Sequence, residues 1–495
     1  MAHWMNSVRF WRFASIFIVL TAILFQALTR LDVDLAWLLT VGEKMAAGQR
    51  LYVDIWEVNP PFSVFLYLPA VYLGRLSGLR PEAFVMPLVI VGGLASVALS
   101  VTVASPLLKR DAMRTWRLVA SGLFVLLLFP GATFDQREHI AVIALLPFVT
   151  IAVLRGKAIR PPAYASVLAG LGAGVAMCIK PHFALAAALP LLWNCIRARS
   201  LRPALQLESW VAAAMVLSYG AVVILSFQAF LTNILPVLED AYIPDRQPLI
   251  ILLFGPSAVC LIFFAVIACI LIPAQGPKFA AAPYVAASLG GLGSYLIQGK
   301  MWPYQGYPML ASALFAILAA GDLGADDAEP QPRSGPILRW SAIAGLTVTI
   351  AIAMSWFTFK GGEPDGLRER VAIVAPHPRM LTISGDISLG HPLVRELQGQ
   401  WVAKVCSEWA TLSIIRLERR ETLSPSLRAR LDRWIAADRH QVANDLSQGR
   451  PNVVLVDRRD FDWGEWAKSD PGVQAAFASY RLDRSVGGVE IWLHK

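Results

Sequence analysis

Apolar segments long enough to enter a lipid bilayer recur from the start of this chain to residue 358. The first covers residues 10–28, and ten more follow at residues 84–107, 118–130, 140–154, 163–179, 183–195, 209–230, 249–273, 279–297, 305–320 and 338–358. Hydrophobic residues make up 56% of the 495 positions, charged residues only 16%, and the mean hydropathy is +0.54. Because a bilayer core about 30 Å thick is crossed by about 20 helical residues, the sequence predicts a polytopic α-helical membrane protein.

Basic residues predict how this protein is oriented. They cluster at residues 9–12, 109–117, 155–160, 197–202, 278 and 333–339. All these clusters fall on one side, as the positive-inside rule requires, if the apolar residues 61–79 do not cross the bilayer. We therefore expect residues 61–79 to be re-entrant or interfacial. The prediction is about eleven transmembrane helices, with an uncleaved first segment, a cytoplasmic N-terminus and a periplasmic C-terminal domain.

Net charge and cysteine spacing exclude several functions. The charge of +9 comes from the orientation clusters and does not indicate nucleic-acid binding. Cys178, Cys195, Cys260 and Cys269 lie in apolar segments, Cys406 lies in the polar tail, and no CxxC pair occurs. This spacing argues against a zinc knuckle and a disulfide framework. The lack of secretory disulfides favours a bacterial inner (plasma) membrane.

The predicted orientation brings five polar loops to one membrane face. They are residues 31–62, 134–139, 180–182, 238–247 and 298–308. Ionisable groups near membrane depth are costly and usually functional, so these loops predict a site for an anionic, lipid-borne substrate. The alternative is that loops are simply polar.

The first loop contains the strongest candidate for a catalytic residue. Apolar residues recur with helical spacing after Asp34, which predicts an amphipathic helix along the membrane surface. Asp34 is then positioned to take a proton from an acceptor hydroxyl as a general base. Either Asp34 or Asp32 could instead serve only as the helix N-cap.

The same loop resembles the GT-C superfamily of polytopic glycosyltransferases, including the protein O-mannosyltransferases and the lipid A aminoarabinose transferase. The resemblance rests on the aspartate, a helix ending before Gly48, the Tyr52-x-Asp54 pair and Pro60-Pro61. It implies that Asp34 is the catalytic base, with Asp32 in reserve. It further implies a polyprenyl-phosphate sugar donor and transfer with inversion. In the same loop, Asp54 and Glu57 are expected to contact substrate.

Two departures from the superfamily leave the sugar and the acceptor open. Asn59 stands where the aminoarabinose transferases have lysine, and Leu35 follows Asp34 in place of glutamate. The late motif KMWPYQGYP resembles a family signature in which a histidine occupies the position of Gln305. Lys300, Tyr304 and Gln305 are therefore expected to contact substrate phosphate. An interfacial aromatic belt with a snorkelling lysine is the alternative.

Two further loops carry candidate donor contacts. In the DQREH motif, Arg137 is expected to bind the donor phosphate, with Glu138 and His139 orienting it. Asp135 there is the candidate ligand for a divalent cation, Mg²⁺ or Mn²⁺; a solvated turn is the alternative. Lys180 and His182 are expected phosphate contacts too. The alternative for Lys180 is an ordinary charge at a helix end.

From residue 360 onward the composition indicates a soluble α/β domain. LTISGDI and NVVLVD predict strands, residues 393–415 and 427–446 predict helices, and the C-terminal end predicts a hairpin turning at Gly487-Gly488. No catalytic motif is visible, so this periplasmic domain (residues 360–495) is expected to cover or position substrate. Residues 1–359, with a first periplasmic loop at 29–83, form the predicted transmembrane catalytic domain. The linker at 324–336 is predicted to be disordered.

The leading hypothesis is a membrane glycosyltransferase. It would move a sugar from a polyprenyl-phosphate donor to a hydroxyl on an envelope glycan, lipid or protein at the periplasmic face. Its partners would be that donor, the acceptor and the lipid bilayer, with no nucleic acid. A lipid-linked oligosaccharide polymerase or ligase, a transporter or flippase, and a membrane anchor for the tail are the alternatives.

Overall fold

The computed structural model describes residues 7–272, 277–324, 335–359 and 361–495. Contacts along the chain define two compact units. The first contains the residues up to Arg30 together with Glu82–Ala221 and Gln247–Phe359, and the second contains Leu31–Pro81, Val222–Arg246 and the tail from residue 360. Residues 325–334 of the predicted linker lie outside the described residues. The contacts group most of the first loop with the tail, whereas the sequence prediction grouped it with the transmembrane domain.

The first unit is a bundle of apolar helices. They are Val8–Leu28, Glu82–Leu108, Ala112–Leu123, Arg137–Gly156, Ala163–Ile179, Ala184–Ala198, Leu207–Ser226, Leu249–Phe254, Pro256–Leu271, Pro277–Gln298, Tyr307–Gly324 and Pro336–Phe357. Each overlaps a predicted apolar segment. In the described part of the chain, seven helices are long and apolar enough to cross a membrane. The chain is thus a largely helical membrane protein, and the count of eleven crossings stays a prediction.

The predicted segment at residues 249–273 is broken by its own sequence. Gly255 has an extended backbone, with φ −67° and ψ 157°, and separates Leu249–Phe254 from Pro256–Leu271. A residue before proline is disfavoured in the helical region, whereas proline itself suits the first helical position. The Gly255-Pro256 pair therefore ends one helix and starts the next.

Adjacent glycines let three helices of the bundle pack closely. A Cβ atom on Gly290 would lie 2.4 Å from the carbonyl oxygen of Leu185, and one on Gly291 would lie 2.7 Å from the backbone nitrogen of Met309. Small residues at such positions let helix backbones approach and gain van der Waals contact, which drives helix association in membranes. The Gly290-Gly291 pair thus joins Pro277–Gln298 to the helices on both sides of it.

The second unit combines the first loop, residues 222–246 and the tail. Its helices are Val33–Ala46, Phe62–Phe65, Leu68–Ser77, Leu235–Val237, Leu367–Val374, Leu393–Glu396, Trp409–Arg420, Pro425–Gly449, Trp463–Lys468 and Pro471–Phe477. We refer to Val33–Ala46 as the first-loop helix and to Pro425–Gly449 as the long tail helix. Residues Leu35 to Gly42 of the first-loop helix are all buried, so it lacks the exposed polar face of the predicted amphipathic helix. Residues 61–79 form two short helices, and whether they cross a membrane stays a prediction.

A five-stranded sheet organises the tail. Its strands are β1 (Arg379–Ile383), β2 (Gln400–Trp401), β3 (Val453–Asp457), β4 (Tyr480–Val486) and β5 (Val489–His494), in the order β2-β1-β3-β5-β4. β1 runs parallel to β2 and β3, whereas β5 is antiparallel to both β3 and β4. The two predicted strands and the hairpin at Gly487-Gly488 are confirmed.

The predicted single helix at residues 393–415 is wrong. A short helix, Leu393–Glu396, is followed by β2 before Trp409–Arg420 begins. Gln398 has a positive φ, and a Cβ on Gly399 would lie 2.4 Å from the Pro378 carbonyl oxygen. The chain therefore turns here and pairs with β1.

Residues 222–246 are fixed to the tail by apolar and ionic contacts. Ala241 packs with Ile414 and Leu431 in a fully buried cluster. Beside it, the Asp240 carboxylate accepts hydrogen bonds from Arg430 (3.1 Å) and Trp434 (3.1 Å). The acidic residues of this loop, which the sequence placed near substrate, thus serve as anchors for the arginines of the tail.

We expect Leu431→Ala to destabilise the second unit by about 2–5 kcal/mol, because it opens a cavity in this cluster. The measurement is the apparent thermal unfolding midpoint of the purified protein, followed by tryptophan fluorescence. Leu482→Ala is the matched control, since Leu482 is 48% exposed and such surface changes stay within about 0.5 kcal/mol. Equal shifts in both variants would contradict the role given to the cluster.

Candidate functional site

The start of the first-loop helix separates the roles of its two aspartates. Asp32 is the N-cap, and its Oδ1 accepts hydrogen bonds from the backbone nitrogens of Asp34 (2.9 Å) and Leu35 (3.3 Å). Asp34 follows in the first turn and is half-buried. Because Asp32 satisfies the helix end, the capping explanation applies to Asp32. Asp34 keeps the position from which a carboxylate could accept a proton.

Glu57 is buried beneath the Pro-Pro turn. Its carboxylate accepts hydrogen bonds from Trp37 Nε1 (2.5 Å) and from the backbone nitrogen of Asn59 (2.8 Å). Burial, and then the nearby charges of Glu57 and Asp34, raise the pKa of the Cys406 thiol. Both carboxylates therefore lie near the same tail residue. Glu57 fixes the loop around Asn59, a role that the sequence did not indicate.

Three side chains clamp the first-loop helix to the tail. Arg395 donates two hydrogen bonds to the Glu43 carboxylate (2.6 and 3.0 Å) and one to Thr40 (3.1 Å). Lys44 Nζ donates to the carbonyl oxygen of Ala403 (2.7 Å). Burial, and then the charges of Arg395 and Lys44, hold the pKa of His391 well below its usual value. The His391 ring packs edge-on against Trp37.

Asp54 differs from the other acidic residues of the loop because it is exposed. It pairs with Arg50, at 3.2 Å between Oδ2 and Nε. The hydrogen bond from Arg50 lowers the pKa of Asp54. Exposed pairs of this kind contribute little stability, so Asp54 is a surface carboxylate whose partner is Arg50.

A second cluster lies in the first unit, where three predicted loops converge. Lys180 Nζ donates to Glu138 Oε1 (2.5 Å) and to Gln298 Oε1 (2.9 Å), and it lies 5.7 Å from the centre of the Tyr304 ring. Glu138 is 0% exposed and Lys180 is 9% exposed. Gln298, at the end of its helix, was not predicted as a site residue. A buried lysine needs a hydrogen-bond acceptor such as the Gln298 side chain, but the sequence alone does not show which loop supplies that acceptor.

Arg137 and His139 flank Glu138 at the start of the helix Arg137–Gly156. Arg137 is 3% exposed at this N-terminus. The Nδ1 of His139 accepts a hydrogen bond from the backbone nitrogen of Asp135 (3.3 Å), so its Nε2 donates to the carbonyl oxygen of Leu126 (2.6 Å). Both ring nitrogens are thus engaged with the backbone. His139 therefore holds the turn, and its predicted role toward substrate stays a prediction.

The predicted metal site at Asp135 would need further metal-ligating side chains beside it. Among the described residues, no group of three or more His, Cys, Asp or Glu side chains is arranged to hold a metal ion. His139 is occupied by the backbone, and Glu138 is paired with Lys180. Asp135 itself adopts a positive φ of 69° in the turn. The residues around it do not fit a metal centre.

The remaining predicted residues lie in two nearby turns. Gln305 Oε1 accepts a hydrogen bond from the backbone nitrogen of Trp302 (3.3 Å) and so caps the turn Pro303–Gly306. Tyr304 packs against Trp302, with ring centres 5.7 Å apart. Lys300 lies in the connection before this turn. In the other turn, the carbonyl oxygen of His182 accepts a hydrogen bond from the Ser294 hydroxyl group (2.8 Å). Gln305 therefore holds the turn Pro303–Gly306, and its predicted contact with substrate stays a prediction.

We expect Asp32→Ala to destabilise the first-loop helix by about 0.5–2 kcal/mol, because two backbone donors lose their acceptor. Asp32→Asn should be near wild type, since asparagine is an equally good N-cap. Thermal unfolding midpoints of the purified variants test this. A similar loss in both variants would show that the charge of Asp32, rather than its capping bonds, is what stabilises the helix.

We expect Lys180→Met to destabilise the first unit by about 3–5 kcal/mol, because it leaves the Glu138 carboxylate buried without its counter-ion. The double variant Lys180→Met/Glu138→Gln should recover most of this loss. The measurement is the apparent unfolding midpoint of each purified protein, compared as a double-mutant cycle. Strictly additive losses would show that the two side chains are not coupled.

None of the protein-family models and none of the curated proteins compared with this chain matches it. Two similar solved structures are single-particle cryo-EM structures of the arabinofuranosyltransferase AftD from Mycobacteria. One is 17% identical with a TM-score of 0.44, and the other, a mutant form, is 15% identical with a TM-score of 0.45. They cover 99% and 98% of this chain. This chain spans only 40% and 41% of their length.

Proposed function

We propose that this chain is an integral membrane glycosyltransferase. It transfers a sugar from a polyprenyl-phosphate carrier to a hydroxyl group of an envelope glycan, lipid or protein, with inversion at the anomeric carbon. The reaction takes place at the periplasmic face of a bacterial inner membrane, with the N-terminus in the cytoplasm. The observation that carries the proposal is the cluster of buried cations at the end of an apolar helical bundle.

This cluster has the chemistry of a phosphate site. Arg137 and Lys180 are both largely buried in a chain with few charges, and buried ionisable groups in a membrane protein are usually functional. Arg137 also stands at the N-terminus of a 20-residue helix, where backbone N–H groups and the helix dipole favour an anion. Arg137 is the principal phosphate contact in the proposal. Glu138 and Gln298 orient the Lys180 ammonium group.

Lys300 and Tyr304 supply further donor contacts in the proposal, and His182 stands next to Lys180 in sequence. Lysine binds phosphate as a point charge, and tyrosine can donate a hydrogen bond to it. These groups stabilise the charge that develops on the leaving phosphate, which is the largest contribution that preorganised groups make to such reactions. Asp54 and Glu57 serve on the acceptor side, Asp54 directly and Glu57 by holding its loop.

Asp34 is the general base of the proposed reaction. The acceptor hydroxyl gives its proton to the Asp34 carboxylate while its oxygen bonds to the anomeric carbon. The bond from that carbon to the phosphate oxygen breaks, and polyprenyl phosphate leaves with the electron pair. A general base contributes about 10²- to 10⁴-fold to the rate. Asp32, as the cap of the helix, holds Asp34 in place.

The proposed steps are carried by side chains of this chain. A divalent cation (Mg²⁺ or Mn²⁺) at Asp135 remains a separate hypothesis, which the side chains around Asp135 do not favour. Transfer measured with and without EDTA decides it, since a required cation would make EDTA abolish transfer.

We expect Asp34→Asn to lower sugar transfer at least about 100-fold, because asparagine cannot accept the proton. The measurement is incorporation of labelled sugar from polyprenyl-phosphate donors into membrane lipids and glycans. Asp32→Asn, at equal expression, is the matched control and should keep most of the activity because it keeps the cap.

Other outcomes would point to the competing functions. Transfer that survives Asp34→Asn unchanged would remove Asp34 as the base. Transfer of whole lipid-linked oligosaccharides would favour a polymerase or ligase. Movement of the lipid-linked sugar across a vesicle bilayer without transfer would favour a flippase.

A further inference from the structure

A polar cavity of about 860 Å³ lies within the second unit. The C-terminal end of the first-loop helix, the first strands of the tail sheet and the last turns of the long tail helix form its wall. Pockets that bind small molecules measure about 300–1,000 Å³. The cavity is therefore large enough for a short oligosaccharide, and every residue that lines it belongs to the second unit.

The carboxylates on the wall are held by ion pairs and hydrogen bonds within the protein. Glu43 is paired with Arg395. Asp445, which is 9% exposed, accepts hydrogen bonds from the backbone nitrogen of Lys404 (3.0 Å) and from Gln441 (2.8 Å).

The basic groups on the wall are engaged in the same way. Lys44 is bonded to a carbonyl oxygen, and Arg379 donates to Gln400 (2.5 Å) and to the carbonyl oxygen of Gly449 (2.7 Å). Lys404 lies 4.9 Å from the centre of the Trp56 ring. Lys44, Arg379, Arg395 and Lys404 share this wall with the carboxylates Glu43, Asp54 and Asp445, so the basic groups are balanced in part by acidic ones.

Side-chain amides supply the unused hydrogen-bonding capacity. Gln49, Asn444 and Gln448 all line the cavity. In the part of the chain that the structure describes, their side chains form no hydrogen bond to another residue. Each amide offers two donor hydrogens and an acceptor oxygen. A sugar hydroxyl group both donates and accepts hydrogen bonds, so an amide can pair with it in either direction.

Apolar groups complete the wall. Val53, Val394, Val402 and Trp401 line the cavity between the polar side chains. The indole nitrogen of Trp401 donates to the carbonyl oxygen of Val405 (2.9 Å), so its position is fixed. Sugar rings carry C–H groups as well as hydroxyl groups, and a wall of mixed character suits both.

We propose that this cavity, which we call the glycan pocket, binds a neutral oligosaccharide. This inference rests on the proposed function: the oligosaccharide is the acceptor chain, and the pocket holds it away from the position of transfer. Gln49, Asn444 and Gln448 bond its hydroxyl groups, while the carboxylates Glu43, Asp54 and Asp445 on the wall disfavour anionic chains.

Binding is measured by saturation-transfer NMR on the full chain in lipid nanodiscs, because maltoside detergents are themselves saccharides. The probes are maltohexaose, mannohexaose, a pentofuranose hexasaccharide and, as the anionic comparison, a heparin hexasaccharide. At least one neutral probe should bind. The triple variant Gln49→Ala/Asn444→Ala/Gln448→Ala should weaken that binding at least about tenfold, since three hydrogen bonds are lost.

Two further variants control for indirect effects. Gln474→Ala removes an exposed amide outside the pocket and should leave binding unchanged. Asn444→Trp fills the cavity and should abolish binding without removing the other amides. Unfolding midpoints near that of wild type establish that each variant is folded.

Three results would overturn the proposal: no neutral probe binds, the heparin fragment binds in their place, or the triple variant binds as wild type does. The proposed function fails separately. Binding should persist in Asp34→Asn, so binding without any transfer by wild type would refute the transferase and leave the glycan pocket. Transfer with unaltered binding in the pocket variants would refute the pocket alone.

Discussion

The Lys180 ammonium group lies 2.5 Å from the Glu138 carboxylate inside a largely apolar bundle. Taking either charge out of water alone would cost several kcal/mol, so each is tolerable only with its partner and with Gln298 beside it. This requirement joins the end of one helix, the start of another and the turn before a third. The loops at this end of the first unit therefore have little freedom. The proposed phosphate site depends on that rigidity, since preorganised charges stabilise a leaving group without rearrangement.

In the second unit, an ion pair between Arg395 and Glu43 likewise joins distant parts of the chain. Arg395 and Glu43 are separated by 352 positions in sequence, yet their two hydrogen bonds connect the tail to the first-loop helix. Lys44 makes the neighbouring contact, and its burial lowers its pKa to about 8. A lysine that is so largely desolvated needs the Ala403 carbonyl oxygen in addition to the charge of Asp445. The tail thus helps to fix the helix on which the proposed base lies.

The sequence predicted the elements of this protein better than their contacts. Apolar runs located the helices of the first unit, and Gly487-Gly488 located the hairpin, because hydrophobic length and glycine conformation are local properties. The turn at Gln398-Gly399 was missed because its cause, the close approach to Pro378, is not local. Which of Asp32 and Asp34 caps the helix was also left open. Two aspartates at the start of a helix are equally good N-cap candidates by residue type, and only the backbone geometry shows which one caps the helix.

The docking of the first loop onto the tail could not have been predicted from charge pattern alone. Many arginines in the tail are available to the acidic residues of the loops, and the pairs that form are selected by packing. Asp240 and Asp245 illustrate this, since the sequence indicated a substrate role and the structure pairs them with Arg430 and Arg420. The arginine partners of Asp240 and Asp245 thus account for both aspartates without a substrate.

The first-loop helix connects the two parts of the proposed function. Asp34 lies in its first turn, whereas Glu43 and Lys44 in its last turn line the glycan pocket. At 1.5 Å per residue, the nine steps along the helix from Asp34 to Glu43 correspond to roughly 14 Å along the axis. An acceptor held in the pocket must therefore extend over several sugar units to bring its hydroxyl to Asp34. A rigid helix of this length would favour a growing glycan chain over a single sugar as the acceptor, because only a chain can occupy both of its ends.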